Sequence, residues 1–260
     1  MTDGPMFSVV SVTRNDCAGL RKTYDSLIAQ EGAPSFEWIV IDGASTDGTV
    51  EFLKSLSPAF PVDWISEPDQ GIYDAMNKGQ RRSRGDYLLF LNGGDALADE
   101  SVLCKVAENG VAKGADFIYG DALESTPDGA LLYKKARSAR RAWWGMFTHH
   151  QAMFYRRSSV DGLLYDLRFP IGADYAYTLE ALGRARKTVM LPFVICIFEQ
   201  GGASSQSVSS GLRDQWRIRR DVMGMSWPFR ALIWALKVTF LLSRRWAPNL
   251  YRRIRFSKYA

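Results

Sequence analysis

Four short apolar runs, each ending in a polar loop, constrain this chain more than anything else in it. Phe7–Val12, Phe36–Ile41, Val62–Ser66 and Tyr87–Leu91 read as buried strands, and helical patterns separate them. Alternation of this kind predicts an α/β fold with a mostly parallel sheet and helices on both faces. In such sheets the loops after the strands line one edge, where ligands bind.

Those loops hold nearly every polar candidate. Thr13, Arg14 and Asn15 follow the first strand. Asp42, Ser45 and Asp47 follow the second, Asp69 and Gly71 the third, and Asn92, Gly93, Gly94 and Asp95 the fourth. An Asp after the second strand suits a base edge or a ribose hydroxyl. Arg14 and Lys78 suit phosphate charge. Two glycines leave backbone room for a bulky ligand, and Asp95 suits a cation bridging phosphate oxygens. Each has a plain alternative: Thr46, Asp47 or Asp95 capping a helix, and Lys78 merely solvated. Their joint placement favours a ligand crevice.

After Gly71, Ile72, Ala75, Met76 and Gly79 recur at helical spacing and predict a buried face, leaving Asp74, Asn77 and Lys78 for polar work. Beyond the strand Asp116–Tyr119 the pattern turns irregular. A hairpin is expected over Thr126–Gly129, a strand over Gln151–Arg156, a helix opening at Ile171–Tyr175 and an extended run over Lys187–Phe198. The histidines, His149 and His150, are adjacent and precede Gln151 just before a strand, a placement that suits structural histidines bonding backbone.

Charge is divided unevenly. Net charge is +5, but residues 211–260 hold twelve Lys/Arg against two Asp/Glu, leaving an acidic body at −5. The expected division is residues 1–205 and a basic aromatic helical tail over 206–260. Its apolar run, Trp227–Leu242, is short for a membrane span. Tryptophans and arginines around it suit a helix lying on an anionic bilayer surface, and packing on the body is the alternative. Three scattered cysteines and no signal peptide suit a reduced, cytoplasmic protein, peripheral on the inner face of the plasma membrane.

Four segments carry a family resemblance: Phe7–Asn15, Ile39–Thr49, Glu67–Gly79 and Gly85–Asp95. They resemble the family 2 glycosyltransferases, most nearly the bacterial subgroup that builds exopolysaccharides such as colanic acid, over about residues 7–205. The resemblance implies a GT-A fold, a nucleotide-diphosphate sugar donor, a divalent metal (Mn²⁺ or Mg²⁺) and inversion at the anomeric carbon. It places Thr13 and Asp42 at the nucleoside, Asp95 at the metal and Asp174 as the catalytic base. The donor set it suggests also includes Arg14, Asn15, Ser45, Asp47, Asp69, Gly71, Asp74, Asn77, Lys78, Asn92, Gly93 and Gly94. His149, His150, Gln151, Gly201 and Gly202 would lie on the acceptor side. The chain departs from the pattern at Asn92 and Gly94, where many relatives have carboxylates, and at Ala173, where many have an acid before the base.

The function expected is transfer of one sugar to a hydroxyl of a glycan acceptor, polyprenyl-linked, in surface-polysaccharide synthesis. The alternative is a non-catalytic donor-binding or scaffold protein. A nucleotidyltransferase needs a glycine-rich phosphate loop that Thr13–Asp16 lacks, and no base-reading module marks a nucleic-acid binder.

Overall fold

The computed structural model describes residues 4–201 and 208–246, with side chains followed to residue 239. Its strands are β1 (Phe7–Thr13), β2 (Phe36–Asp42), β3 (Val62–Ser66), β4 (Tyr87–Phe90), β5 (Ala96–Leu97), β6 (Phe117–Ser125), β7 (Leu131–Lys134), β8 (Met153–Arg156) and β9 (Thr188–Glu199). They form one sheet in the order β3-β2-β1-β4-β8-β6-β9-β5, with β7 on β6. The β3-β2-β1-β4 half is wholly parallel. Beyond β4 only β6 and β9 pair in parallel, and β8, β7 and β5 run antiparallel to their neighbours.

Period-two alternation along the strands feeds two cores. Val10, Val12, Ile39, Ile41, Leu88 and Phe90 face α3 (Ile72–Arg82) and α5 (Ala173–Arg184). Val9, Trp38, Val40 and Leu89 face α1 (Cys17–Ile28), α2 (Thr49–Ser55) and α4 (Val102–Val106). Helix α3 lies unusually close: a side chain on Gly79 would begin 2.3 Å from Val10 Cγ1. Only glycine permits that approach, which brings the start of α3 to the ligand edge.

The hairpin β6–β7 closes through Thr126 N–H to Ala130 O at 2.9 Å, as its Pro-Asp-Gly turn predicts. Ile72, expected in the buried face of α3, is 39% exposed; it is the first residue of the helix, a turn short of the buried Ala75, Met76 and Gly79. Cys196 is buried, whereas Cys17 and Cys104 are half-exposed and not buried as expected; all three are free thiols.

Two further helices follow, α6 (Val208–Asp221) and α7 (Trp227–Trp246), the latter with Pro228 in its first turn. Ile218 of α6 is fully buried in the α5 core, and Asp214 accepts the N–H groups of Ile171 and Gly172 at 2.9 and 3.0 Å. The expected boundary at 205/206 therefore does not separate core from tail: α6 belongs to the packed body. Among the described residues no helix is long and apolar enough to cross a membrane.

Candidate active site

The loops after β1 and β2 are knitted to each other. Thr13 and Asp42 are register partners at the strand ends. Asp42 is fully buried and accepts from Ser45 N–H at 3.0 Å, from Ser66 Oγ at 2.5 Å and from the Ser45 hydroxyl. Asn15 sits at φ +51, accepting from Thr46 N–H at 2.9 Å while its own N–H reaches Ser45 Oγ. Asp47 accepts from Thr49 and from Cys17 N–H, and these bonds lower its pKa. Asp47 thus ties two loops and caps α2, the plain alternative to ligand contact. Arg14 stays exposed at the mouth.

Around the start of α3 the polar side chains bond one another and the backbone. Asp69 accepts from Gly71 N–H at 2.8 Å, and Asp74 from Gln70 N–H at 3.1 Å. Lys78 pairs with Glu67 at 2.7 Å and lies 3.6 Å from Asp74; the Glu67 bond chiefly raises its pKa. Asn77 is a correction. It is 4% exposed, and its amide grips the Tyr165 backbone through both ends, at 2.9 and 2.7 Å. Its amide is spent fastening α3 to the loop at Tyr165.

Asp95 is also buried, at 4% exposed. Its Oδ2 accepts from Gln151 Nε2 at 2.8 Å and its Oδ1 from Glu199 N–H at 2.9 Å. Burial nevertheless pushes its carboxyl up to about 6, those two bonds pulling the other way. Thr23 of α1 holds the loop from behind, donating to Asp95 O at 2.6 Å and accepting from Gly94 N–H at 3.2 Å. Gly94 has φ +93, a conformation that favours glycine, and a side chain on Gly93 would begin 3.1 Å from Thr13 Oγ1, a tight fit.

Residues 150 and 151 then cross the crevice. Gln151 holds Asp95, and His150 Nδ1 lies 3.5 Å from Asp174 Oδ2. Asp174 stands in the first turn of α5, and its Oδ1 takes Tyr175 N–H at 2.7 Å and lies 3.4 Å from Tyr73 Oη. Tyr73 also donates to Ile171 O at 2.8 Å, and burial with the Asp174 charge raises its pKa, so it remains a donor. His149 leaves this group. It stacks on Phe198 and bonds Glu124 at 2.9 Å, with Lys134 at 3.0 Å. Burial and the Lys134 charge hold its pKa at about 3, so it is a neutral structural imidazole and not an acceptor-pocket one. Gly201 is exposed at φ +126, and Gly202 lies outside the described residues.

Four buried polar atoms at this edge have no partner among the described residues: Thr13 Oγ1, Asn92 Oδ1, His150 Nε2 and Gln151 Oε1. Unpaired buried groups are costly unless a ligand completes them. Among the described residues no three His, Cys, Asp or Glu side chains cluster to hold a metal. The fit to a hard cation rests instead on one carboxylate with the amide oxygens of Asn92 and Gln151 near it, a mixed oxygen set suited to Mg²⁺ or Mn²⁺.

The family model of Glycosyl transferase family 2 matches residues 8–164, the span holding every strand-end loop just described. The chain belongs to this family. An uncharacterized glycosyltransferase of Mycobacterium tuberculosis is 34% identical over 230 residues, covering 85% of this chain and 86% of the relative. A PGL/p-HBAD biosynthesis glycosyltransferase of Mycobacterium bovis is 30% identical over 263 residues, 95% of this chain and 93% of the relative. Among solved structures, Staphylococcus aureus TarS (residues 1–349) in complex with UDP-GlcNAc superposes with a TM-score of 0.69 at 18% identity, over 92% of this chain and 74% of that one. The mannosyltransferase PcManGT of Pyrobaculum calidifontis, in complex with GDP-Man and Mn²⁺, gives 0.65 at 17%, over 92% and 71%. These likenesses establish the GT-A fold for this family 2 glycosyltransferase.

Sequence reasoning missed Thr23, Tyr73 and Asp214. Thr23 had a signal, since Leu20, Thr23 and Leu27 share one buried stripe of α1. Asp214 stood out as one of two acids in a basic segment. Tyr73 had none, because its role depends on where α5 docks.

Proposed function

We propose that this glycosyltransferase is inverting and metal-dependent, moving one sugar from a nucleotide-diphosphate donor to a hydroxyl of a lipid-linked glycan in surface-polysaccharide synthesis. The observation that carries the reading is the His150–Gln151 segment. Two consecutive residues connect the buried carboxylate suited to a cation, Asp95, with the helix-borne carboxylate suited to a base, Asp174.

The chemistry follows from that spacing. Asp174 Oδ1 is occupied by Tyr175 and Tyr73, leaving Oδ2 to take the acceptor proton beside His150. As the acceptor oxygen bonds the anomeric carbon, the bond to diphosphate breaks on the opposite face and its electron pair leaves with the phosphate. A positioned base contributes about 10²- to 10⁴-fold. A divalent cation, when bound, supplies neutralisation of the leaving diphosphate. Asp95 would hold it, and Asn92 and Gln151 would offer their amide oxygens. Thr13 and Asp42 end the strands where the nucleoside would lie, and Arg14 and Lys78 would meet phosphate.

The tail supports a membrane-side acceptor. Phe229, Leu232 and Leu236 share one side of α7 and are 64%, 56% and 49% exposed, an apolar face suited to a bilayer interface. We place the protein on the cytoplasmic face on that ground. A scaffold role is the second reading, favoured by the single carboxylate at the cation position. Substituting D174N separates the two: an enzyme keeps donor binding and loses turnover, whereas a scaffold has no turnover to lose.

A further inference from the structure

The segment from residue 211 onward carries twelve Lys/Arg and two Asp/Glu, and the fold engages both acids elsewhere. Asp214 caps the loop before α5, and Asp221 pairs with Arg220 at 2.6 Å. The cations around the turn Trp143–Gly145 are left facing one another. Lys237 of α7 holds Nζ 5.7 Å from the Trp144 ring centroid and 3.1 Å from where a Gly145 side chain would begin. Arg219 of α6 donates to the carbonyls of Trp143 and Trp144 at 3.2 and 2.7 Å, and Arg137 to Met146 O at 2.7 Å.

Every one of those partners is neutral, and so is Gln215, which Lys237 also bonds. Among the described residues no ion pair includes Arg137, Arg141, Arg219 or Lys237. Burial lowers the Lys237 ammonium to about 7, and the charges of Arg219 and Arg137 push it the same way. Arg137 is likewise lowered, by burial and by Arg141. Gathering cations without a counter-charge is unfavourable unless an anion joins them.

The surroundings say which anion. Trp143 is 45% exposed beside the cluster, and α7 adds Trp227, Phe229 and Trp234 at 68%, 64% and 47%. The groove between α6 and α7 is lined by Leu212, Trp216, Ala231 and Trp234, with Arg213 beside them. Positive charge bordered by exposed aromatic and aliphatic surface matches an amphiphile with an anionic head. We propose that Arg137, Arg219 and Lys237 form a site for the phosphate or diphosphate headgroup of a lipid. The site lies behind the proposed base: Tyr175, next to Asp174, bonds Ala142 O at 2.6 Å. A lipid-linked acceptor held there would present its glycan to Asp174, a consequence that rests on the proposed function.

The test uses the full chain and phosphatidylcholine vesicles carrying phosphatidic acid or phosphatidylserine, matched for zeta potential. The wild-type protein is expected to bind the phosphatidic acid vesicles about tenfold more tightly, following phosphate rather than bulk charge. Inorganic pyrophosphate should abolish that preference. R137Q/K237Q should bring the ratio near one while leaving phosphatidylserine binding within about twofold, and R137K/K237R should retain it. R137Q alone, at an exposed position, repeats the test should the double variant unfold. A wild-type ratio near one, or an unchanged ratio in the glutamine variants, overturns the proposal. Thermal stabilisation by pyrophosphate without any vesicle preference would assign free phosphate and overturn the lipid. No turnover is read, so failure here leaves the sugar-transfer reading to the D174N comparison.

Discussion

Asp42 and Asp95 both follow core strands at the same edge of the sheet, and both are buried, yet the protein treats them differently. Asp42 is met by three donors from Ser45 and Ser66, and the loops around it bond one another through Asn15 and Asp47. Asp95 is met by two donors, its carboxyl is pushed up to about 6, and the side chains of Asn92, His150 and Gln151 near it each keep an unpartnered atom. The Asp42 carboxylate is met within the protein, although Thr13 Oγ1 beside it has no partner among the described residues. The side that would hold the diphosphate, cation and acceptor is complete only with a ligand. Preorganisation sits where recognition is needed, and unsatisfied polar atoms collect where chemistry is expected.

The largest effect that tests this contrast belongs to Asp174. D174N should lower kcat by about 10²- to 10⁴-fold while nucleotide-sugar affinity, read calorimetrically, stays within about twofold. Equal loss of binding and turnover would place Asp174 on the donor instead. Next comes the open side itself. Q151A removes a bond to Asp95 and an amide oxygen, and should weaken Mn²⁺ binding about 10- to 100-fold by electron paramagnetic resonance. S66A, on the closed side, should leave Mn²⁺ binding unchanged; parity between the two variants would erase the distinction.

Asn77 sharpens the comparison through stability. N77A orphans the Tyr165 backbone and should cost about 1–3 kcal/mol in urea unfolding, with donor affinity unchanged. A loss of donor affinity with stability intact would return Asn77 to the crevice. The smallest effect is at Lys237, whose folded pKa is lowered to about 7 from 10.5. Between those values the unfolded chain binds more protons, so this group's contribution makes stability rise with pH across that window. Wild-type stability should therefore rise relative to that of K237M as pH goes from 7 toward 10, and a flat difference would contradict the lowered value.

The N-terminal half was legible because each rule there is local. Short apolar runs, turn residues and Pro-Asp-Gly signalled β1–β4 and the β6–β7 hairpin directly. Asn77 misled because its neighbours in sequence define a helix face, whereas its partner Tyr165 arrives from 88 residues away. His149 misled for a related reason: adjacent residues point oppositely, so it went to Glu124 while His150 went to Asp174. Asp95 was legible as a strand-end carboxylate, but its support by Gln151 and Thr23 needed the folded sheet. The α6 segment read as tail because its charge dominates its composition, while Ile218 and Asp214 bind it to the body.

The most direct measurement is a thermal-shift titration of the D174N protein with UDP-, GDP- and dTDP-sugars, each with Mn²⁺, Mg²⁺ or EDTA. The account predicts one base-selective donor that stabilises by about 2.7 kcal/mol at 100 times its dissociation constant, with the effect lost in EDTA. Stabilisation equal with and without the cation, or by no donor at all, would contradict it.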